Sequence, residues 1–135
     1  MTLHFIGSVD LPGLPALADA VDLPMEPFDL LLDTPRSWPR GLAVLEAARL
    51  PAALSRLHRR LGESLQRLGL PVEERTYRPH VTFARRAAGA VGPKEAAPVK
   101  WAARSFALVV STGNRQQRYQ VLREYPRAAT RDYLA

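Results

Sequence analysis

The sequence predicts an α+β domain, in which short antiparallel strands pack against one long helix. Two observations predict this fold class. Leucines recur at three- and four-residue steps through one segment of the chain, as on one face of an amphipathic helix. Several shorter segments before and after that helix are apolar or alternate in polarity and are bounded by proline or glycine, as strands are.

Four elements are predicted before the long helix. Residues 2–7 form a β-prone stretch closed by glycine, and a short helix is expected near residues 14–21. Residues 27–33 are predicted as a strand that ends at a Thr-Pro pair, and residues 41–47 as another strand. These two strands are expected to be neighbours in an antiparallel sheet.

The long helix is predicted to begin near Pro51 and to end at Gly69. Proline is tolerated in a first helical turn, and glycine commonly follows a last one. The apolar face consists of five leucines: Leu54, Leu57, Leu61, Leu65 and Leu68. His58 lies at the edge of this face, so it is interpreted as a packed or half-exposed residue and not as a catalytic one.

Three strands are predicted after the helix. Residues 79–85 alternate in polarity and are entered through a proline. Residues 105–112 and 119–125 are strand-like runs joined by a polar loop that contains Gly113 and Asn114. This pattern predicts a β-hairpin.

The composition fits one domain spanning residues 1–135, because 135 residues with 47% hydrophobic content are enough for a single core. There is no cysteine, and the three histidines are too scattered for a zinc site, so neither disulfides nor a metal cofactor is expected. The first residues lack the features of a signal peptide, and no apolar run reaches membrane-spanning length. The resulting prediction is a cytoplasmic protein with no membrane partner.

The net charge of +6 comes almost entirely from arginine. The planar guanidinium suits phosphate groups, so a phosphate-rich partner is one interpretation. The alternative is that arginine replaces lysine throughout because the genome is rich in GC pairs. No continuous basic run marks a nucleic-acid-binding tail.

Residues 77–85 contain the candidate chemistry. Because side chains alternate along a strand, His80 and Thr82 are expected on one face. Val81 and Phe83 are expected on the opposite, apolar face. Near neutral pH an imidazole can take a proton from an attacking oxygen or give one to a leaving oxygen, and a threonine hydroxyl can bind a phosphoryl oxygen. The pair predicts half of an acid–base phosphodiesterase site, whose other half would be a second histidine across the phosphorus.

The run Tyr77-Arg78-Pro79-His80-Val81-Thr82-Phe83-Ala84-Arg85 resembles the second His-x-Thr-x signature of the two-histidine (2H) phosphoesterases, the LigT-like family of 2′-5′ RNA ligases and RNA 2′,3′-cyclic phosphodiesterases. The long helix and the strands near residues 28–30 and 119–122 also resemble segments of that family. The resemblance implies a bilobal fold, with antiparallel sheets forming a central cleft and helices on the outside. It further implies that His80 is a catalytic histidine, Thr82 its phosphate-binding neighbour and Arg85 a phosphate contact.

The first signature of that family is a histidine, any residue, a threonine and a leucine, commonly followed by phenylalanine and glycine. Residues 1–10 match it from the second position onward, so Thr2 is the site threonine and its histidine would fall immediately before Met1. The family also has a strand and a helix upstream, about 30 residues by typical element lengths. The resemblance therefore predicts an N-terminally incomplete domain whose first strand and helix are missing.

Three explanations for the absent histidine are left open: a start placed at an internal methionine of a longer gene, a genuinely shortened relative, and substitution by His4. His4 is displaced from the expected position by four residues, about 13 Å along an extended strand. We therefore expect His4 to be a cleft-wall or sheet-surface residue. Tyr77 and Arg78 are expected to be cleft-wall residues. A sheet edge left unpaired by the missing elements is a possible site of dimerisation.

The resemblance implies an RNA 2′,3′-cyclic phosphodiesterase or 2′-5′ RNA ligase that opens a terminal 2′,3′-cyclic phosphate by histidine acid–base catalysis, with no metal or other cofactor. Ligation is the same chemistry in reverse. Loss of one acid–base partner would lower the rate by about 100- to 10,000-fold, which predicts an impaired enzyme. The alternatives are a non-catalytic RNA- or nucleotide-binding relative, a phosphodiesterase for small cyclic nucleotides, and a purely structural protein.

Overall fold

A computed structural model describes residues 1–95 and 97–126 of the chain. Within those residues it contains two α-helices and seven β-strands. The helices are α1 (Leu14–Ala20) and α2 (Ala52–Arg67), and the strands are β1 (Phe28–Leu32), β2 (Thr34–Trp38), β3 (Leu42–Glu46), β4 (His80–Ala84), β5 (Val99–Ala103), β6 (Phe106–Ser111) and β7 (Tyr119–Tyr125). The α+β class predicted from the sequence is confirmed.

The strands form three antiparallel sheets. β1 pairs with β5, and β6 pairs with β7 as the predicted hairpin. The third sheet has the order β2-β3-β4, so β3 lies in its centre. In this sheet Glu46 of β3 lies directly opposite His80 of β4. The candidate histidine is therefore held at a defined register.

The predicted pairing of residues 27–33 with residues 41–47 is wrong. β1 pairs with β5, and β3 pairs with β2 and β4. β1 ends at Leu32, just before the Thr-Pro pair, but the pair itself belongs to the next strand, because Pro35 lies inside β2, opposite Leu45. Proline is tolerated there because β2 is an edge strand of its sheet, where a missing N–H leaves the ladder intact.

Three further expectations are corrected by the structure. Residues 2–7 form no strand; Leu3 and Ile6 instead pack against the core as part of an irregular segment. β5 is absent from the sequence prediction because four of its five residues are exposed, and such a segment has no apolar pattern. Phe83 is 57% exposed and does not join an apolar face, although Val81 of the same strand packs against buried residues.

Helix α2 contributes to two clusters of buried side chains. Leu57, Leu61 and Leu65 pack with side chains of α1, β6 and β7. Leu54, at the beginning of the helix, packs with side chains of β1. A fully buried leucine contributes about 1.5–3 kcal/mol, so this face stabilises the fold as the predicted amphipathic helix should. Leu68, beyond the end of α2, is 41% exposed and lies outside the buried face.

The N-terminal segment and the segment before β4 are held against the same core. Leu3 is partly buried and packs against both clusters, and Tyr77 packs against the cluster that contains Leu54. This packing brings together two segments that are far apart in the sequence. Neither helix in the described part of the chain combines the length and the apolarity needed to traverse a bilayer.

Candidate active-site groove

The N-terminal segment and the segment before β4 line a common groove of about 410 Å³. Four parts of the chain form its walls. The lining residues are Thr2, Leu3, His4 and Phe5, then Trp38 of β2, His58 of α2, and Glu73, Arg75, Thr76, Tyr77, Arg78 and His80. Side chains from both predicted signatures therefore meet at one surface.

His80 is the first residue of β4 and is half-buried at the groove. Its Nδ1 lies 2.8 Å from the backbone oxygen of Arg78. A carbonyl oxygen only accepts hydrogen bonds, so Nδ1 carries the ring proton and donates it. The lone pair of the neutral ring is then on Nε2, which is the nitrogen able to take a proton from a ligand.

Trp38 lies beside His80, with ring centroids 4.2 Å apart and planes inclined by 48°. Arg78 lies over the Trp38 ring, with its Cζ 5.0 Å from the ring centroid. Glu46, which is 8% exposed, accepts hydrogen bonds from Trp38 Nε1 at 2.5 Å and from Arg78 Nη2 at 2.6 Å. One carboxylate thus fixes an indole and a guanidinium beside the candidate catalytic ring. We call these three residues the Glu46 cluster.

A stack of the His4, His58 and Tyr77 rings forms another wall. The His4 and His58 rings are 4.0 Å apart, and the His58 and Tyr77 rings are also 4.0 Å apart, with planes inclined by 16° and 14°. His4 Nε2 donates to the backbone oxygen of His58 at 2.7 Å. The Tyr77 hydroxyl donates to the backbone oxygen of Thr2 at 3.1 Å. This three-ring stack ties the N-terminal segment to α2 and to the segment before β4.

Gly62 allows the His4 ring to approach α2. It is buried within the helix, and a Cβ atom at this position would lie 3.3 Å from His4 Cε1. Glycine inside a helix costs about 0.5–1 kcal/mol relative to alanine. The close contact with His4 is a structural reason for a glycine here.

Burial shifts the pKa values of two side chains in the three-ring stack. It lowers the pKa of His58 to about 4, an effect that the nearby His4 strengthens and a hydrogen bond with the Leu3 backbone opposes. Burial also raises the pKa of Tyr77. Near neutral pH, His58 and Tyr77 are therefore uncharged.

The structure places five of the predicted site residues at the groove: Thr2, His4, Tyr77, Arg78 and His80. Thr82 and Arg85 are not among the lining residues in the described part of the chain. Thr82 is half-buried two residues further along β4, and Arg85 is exposed just after the strand. Their roles as phosphate contacts stay predictions. Within residues 1–95 and 97–126, no group of three or more metal-ligating side chains is arranged to hold an ion.

The sequence interpretation overlooked Glu46 and favoured a packing role for both Trp38 and His58. Trp38 lies at the end of β2, a strand that was not predicted because Pro35 interrupts its sequence pattern. Glu46 offers a signal, because it is the only charged residue in the apolar segment 41–47. No sequence pattern indicates that His58 stacks between rings from two other segments.

A family model of the 2′-5′ RNA ligase superfamily matches residues 2–115. Among solved structures, a crystal structure described as a phosphoesterase aligns with a TM-score of 0.82 and 28% identity, covering 92% of this chain and 74% of that one. No curated protein sequence gives a match.

Structures of LigT from E. coli align as well. The complex with 3′-AMP has a TM-score of 0.82 and 28% identity, over 92% of this chain and 74% of LigT. The complex with ATP has a TM-score of 0.77 and 26% identity, over 92% of this chain and 72% of LigT. The fold expected from the sequence resemblance is confirmed by these alignments.

Proposed function

Since the chain belongs to the 2′-5′ RNA ligase superfamily of phosphoesterases, we propose that it acts on the 2′,3′-cyclic phosphate of an RNA end or of a nucleotide. The observation that supports this most strongly is the placement of His80 in the groove, with Nδ1 anchored to the Arg78 backbone. An imidazole with one nitrogen anchored and a lone pair on the other is suited to proton transfer. Thr2, from the first signature, lines the same groove.

The proposed reaction replaces one phosphorus–oxygen bond by another. The oxygen of water, or of a ribose hydroxyl in ligation, bonds to phosphorus while the bond to the 2′ or 3′ ribose oxygen breaks. A base takes the proton of the attacking oxygen, and an acid gives a proton to the departing oxygen. His80 performs one of these two transfers through Nε2.

In this proposal the Thr2 and Thr82 hydroxyls and the Arg85 guanidinium donate hydrogen bonds to the phosphate and stabilise its negative charge. These assignments come from the family resemblance. Hydroxyl and guanidinium donors suit the non-bridging oxygens, and preorganised donors are often the largest contribution to catalysis. Arg78 is already paired with the Glu46 carboxylate, so its charge is partly neutralised before a ligand binds.

A second proton-transfer group is needed on the other side of the phosphorus. His4 lines the groove, but its Nε2 is bonded to the His58 backbone oxygen and its ring is held in the three-ring stack. Within residues 1–135, His80 is thus the histidine that a complete signature places in the groove. For residues 1–135 assayed by themselves, which supply one such histidine, we expect a rate about 100- to 10,000-fold below that of a two-histidine site.

Nucleotide ligands of solved relatives support a nucleotide or RNA substrate. LigT structures contain 3′-AMP, NADP+ and ATP. RNA presents more phosphates than a mononucleotide, so RNA binding should weaken more steeply with salt. Affinities for 2′,3′-cyclic AMP and for an oligonucleotide with the same end, measured at several salt concentrations, separate the two substrates.

Two features of the protein in the cell complete the proposal. A substrate derived from RNA favours a cytoplasmic location. Association of two chains through an exposed sheet edge also stays a prediction, and the mass of the protein in solution tests it.

The proposed reaction is tested by hydrolysis of 2′,3′-cyclic AMP with the wild-type chain and with His80→Ala. We expect the substitution to lower kcat by about 100- to 10,000-fold, while the affinity for 3′-AMP changes little. Arg115→Ala, in the exposed loop between β6 and β7, is the control and should keep the wild-type rate. Equal rates for wild type and His80→Ala would contradict the proposal. Binding of 3′-AMP without any turnover that depends on His80 would instead support the non-catalytic alternative.

A further inference from the structure

Glu46 is the one buried carboxylate in the described part of the chain, and it lies directly opposite His80 in the sheet. Side chains of directly opposed residues in an antiparallel pair project from the same face. The carboxylate therefore lies on the same face of the sheet as the candidate catalytic ring. A buried charge is costly unless it is paired and hydrogen-bonded. Both donors to Glu46 Oε1, Trp38 and Arg78, are residues that also contact His80.

Arg78 connects Glu46 to a ring nitrogen of His80. Its guanidinium donates to Glu46 Oε1 at 2.6 Å, and its backbone oxygen accepts from His80 Nδ1 at 2.8 Å. Arg78 lies before the first residue of β4, so its carbonyl is outside the hydrogen-bond ladder of the sheet. Its side chain is 55% exposed and is held by Glu46 and by the Trp38 ring. The position of the oxygen that anchors His80 thus depends on the Glu46 carboxylate.

Trp38 connects the same carboxylate to the face of the His80 ring. Its Nε1 donates to Glu46 Oε1 at 2.5 Å, which fixes the position of the indole. The indole and imidazole centroids are 4.2 Å apart, so the indole limits rotation of the imidazole. This contact keeps Nδ1 directed towards the Arg78 backbone oxygen. Glu46 therefore acts on His80 through two neighbours, one at the ring nitrogen and one at the ring face.

Proton transfer through His80 Nε2 requires that the other ring proton stay on Nδ1. In a neutral imidazole, the hydrogen bond made by one nitrogen decides whether the other has a lone pair. A ring whose Nδ1 lost its acceptor would also adopt the opposite tautomer, in which Nε2 carries the proton and cannot take another. Holding the Arg78 backbone oxygen in place thus maintains the form of His80 that the proposed reaction uses.

We propose that Glu46 is a positioning residue that holds His80 in its Nδ1-protonated tautomer through Arg78 and Trp38. Glu46 itself does not line the groove, so it acts on a substrate only through these neighbours. The expected effect on rate rests on the proposed function of the groove. The expected effect on the His80 ring does not depend on any reaction, so it can be measured separately.

The kinetic test compares Glu46→Ala with Glu46→Gln on 2′,3′-cyclic AMP. Glu46→Ala should lower kcat by about 10- to 100-fold, the range for loss of a hydrogen-bond partner that orients a functional histidine. Glu46→Gln should lose less, because its amide oxygen can accept from both donors although it carries no charge. Arg36→Ala is the matched control and should keep the wild-type kcat. Arg36 Nε lies 4.0 Å from Glu46 Oε2, and Arg36 does not line the groove.

Nitrogen-15 chemical shifts of the imidazole rings measure the tautomer without any turnover. A ring nitrogen that carries a proton and one that has a lone pair give different shifts, and His80→Ala identifies the His80 signals among those of the three histidines. At alkaline pH, wild type and Arg36→Ala should show the proton on Nδ1 of His80. Glu46→Ala should show a mixture of the two tautomers, and Glu46→Gln should lie closer to wild type.

The two measurements separate the positioning role from the proposed reaction. If 2′,3′-cyclic AMP is not hydrolysed but the His80 tautomer depends on Glu46, the proposed reaction fails and the positioning role stands. If turnover depends on His80 but Glu46→Ala keeps the wild-type tautomer, the positioning role is overturned, whatever the value of kcat. A loss of kcat with that tautomer unchanged would give Glu46 a purely structural role.

Thermal melting shows whether each variant folds. If Glu46→Ala does not, Arg78→Ala replaces it, because this variant removes the same link between the carboxylate and the backbone oxygen that anchors His80. Arg78→Ala should then give the mixture of tautomers. A wild-type tautomer in a folded Arg78→Ala variant would likewise overturn the positioning role.

Discussion

Two walls of the groove are built on different physical principles. The three-ring stack is held by burial and by contacts between its rings. Two of these rings, His58 and Tyr77, are uncharged near neutral pH. The Glu46 cluster is held by a buried carboxylate and two donors. Adding charge should damage the first wall, and removing charge should damage the second. The stack thus keeps the N-terminal segment on the groove, while the cluster shapes the surface next to the candidate catalytic ring.

The largest expected difference between the walls is catalytic. His80→Ala should lower kcat for 2′,3′-cyclic AMP by about 100- to 10,000-fold. His58→Phe keeps a ring in the stack and leaves His80 Nε2 untouched, so its effect on kcat should be far smaller. Steady-state rates of the two variants at neutral pH measure the difference. A comparable loss in His58→Phe would show that the stack contains a proton-transfer group.

The stack should also make stability depend on pH. The pKa of His58 is about 4 in the folded chain against 6.5 for an ordinary histidine, so the unfolded chain binds this proton more readily between those values. The stability contributed by neutral His58 is complete above pH 6.5, decreases as the pH falls, and is lost below about pH 4. Urea midpoints across this range measure the effect.

His58→Phe is the matched variant for the pH experiment, because phenylalanine cannot bind a proton. The stability difference between wild type and variant should shrink as the pH falls from neutral towards about 4. Subtracting the two curves removes the contribution of the other titrating groups. A difference that stayed constant over this range would contradict the lowered pKa.

A smaller effect is expected from the hydroxyl of Tyr77. Tyr77→Phe keeps the stacked ring but removes the donor to the Thr2 backbone, which should cost about 0.5–1.5 kcal/mol of unfolding free energy. Denaturant titration measures the loss. Tyr119→Phe is the control, because that side chain is 62% exposed and should change stability very little. Equal results for the two variants would mean that the bond to Thr2 contributes nothing.

The smallest expected effect is that of Gly62→Ala. Alanine should favour the helix by about 0.5–1 kcal/mol, but its Cβ would lie 3.3 Å from the His4 ring. His4 cannot easily move away, because its Nε2 is bonded to the His58 backbone. We expect a slight net destabilisation in wild type and a stabilisation when His4→Ala is also present. Double-mutant unfolding experiments test the coupling, and an unchanged sign in both backgrounds would refute it.

Elements with a strong local pattern could be predicted from the sequence. The leucine spacing of α2 and the glycine-containing loop of the β6–β7 hairpin are examples. β2 and β5 could not be predicted, because Pro35 interrupts one and exposed residues dominate the other. The partner of β1 could not be predicted either, because strand pairing depends on segments far apart in the chain.

By itself, the sequence determined the α+β class and a strand presenting His80 and Thr82. Both follow from patterns among neighbouring residues, such as strand alternation and leucine spacing. Only the tertiary structure decided that Trp38 and Arg78 lie beside His80 and that His58 is held between two other rings. These contacts join four separate segments of the chain, so they depend on sheet register and core packing, which no local pattern of residues specifies.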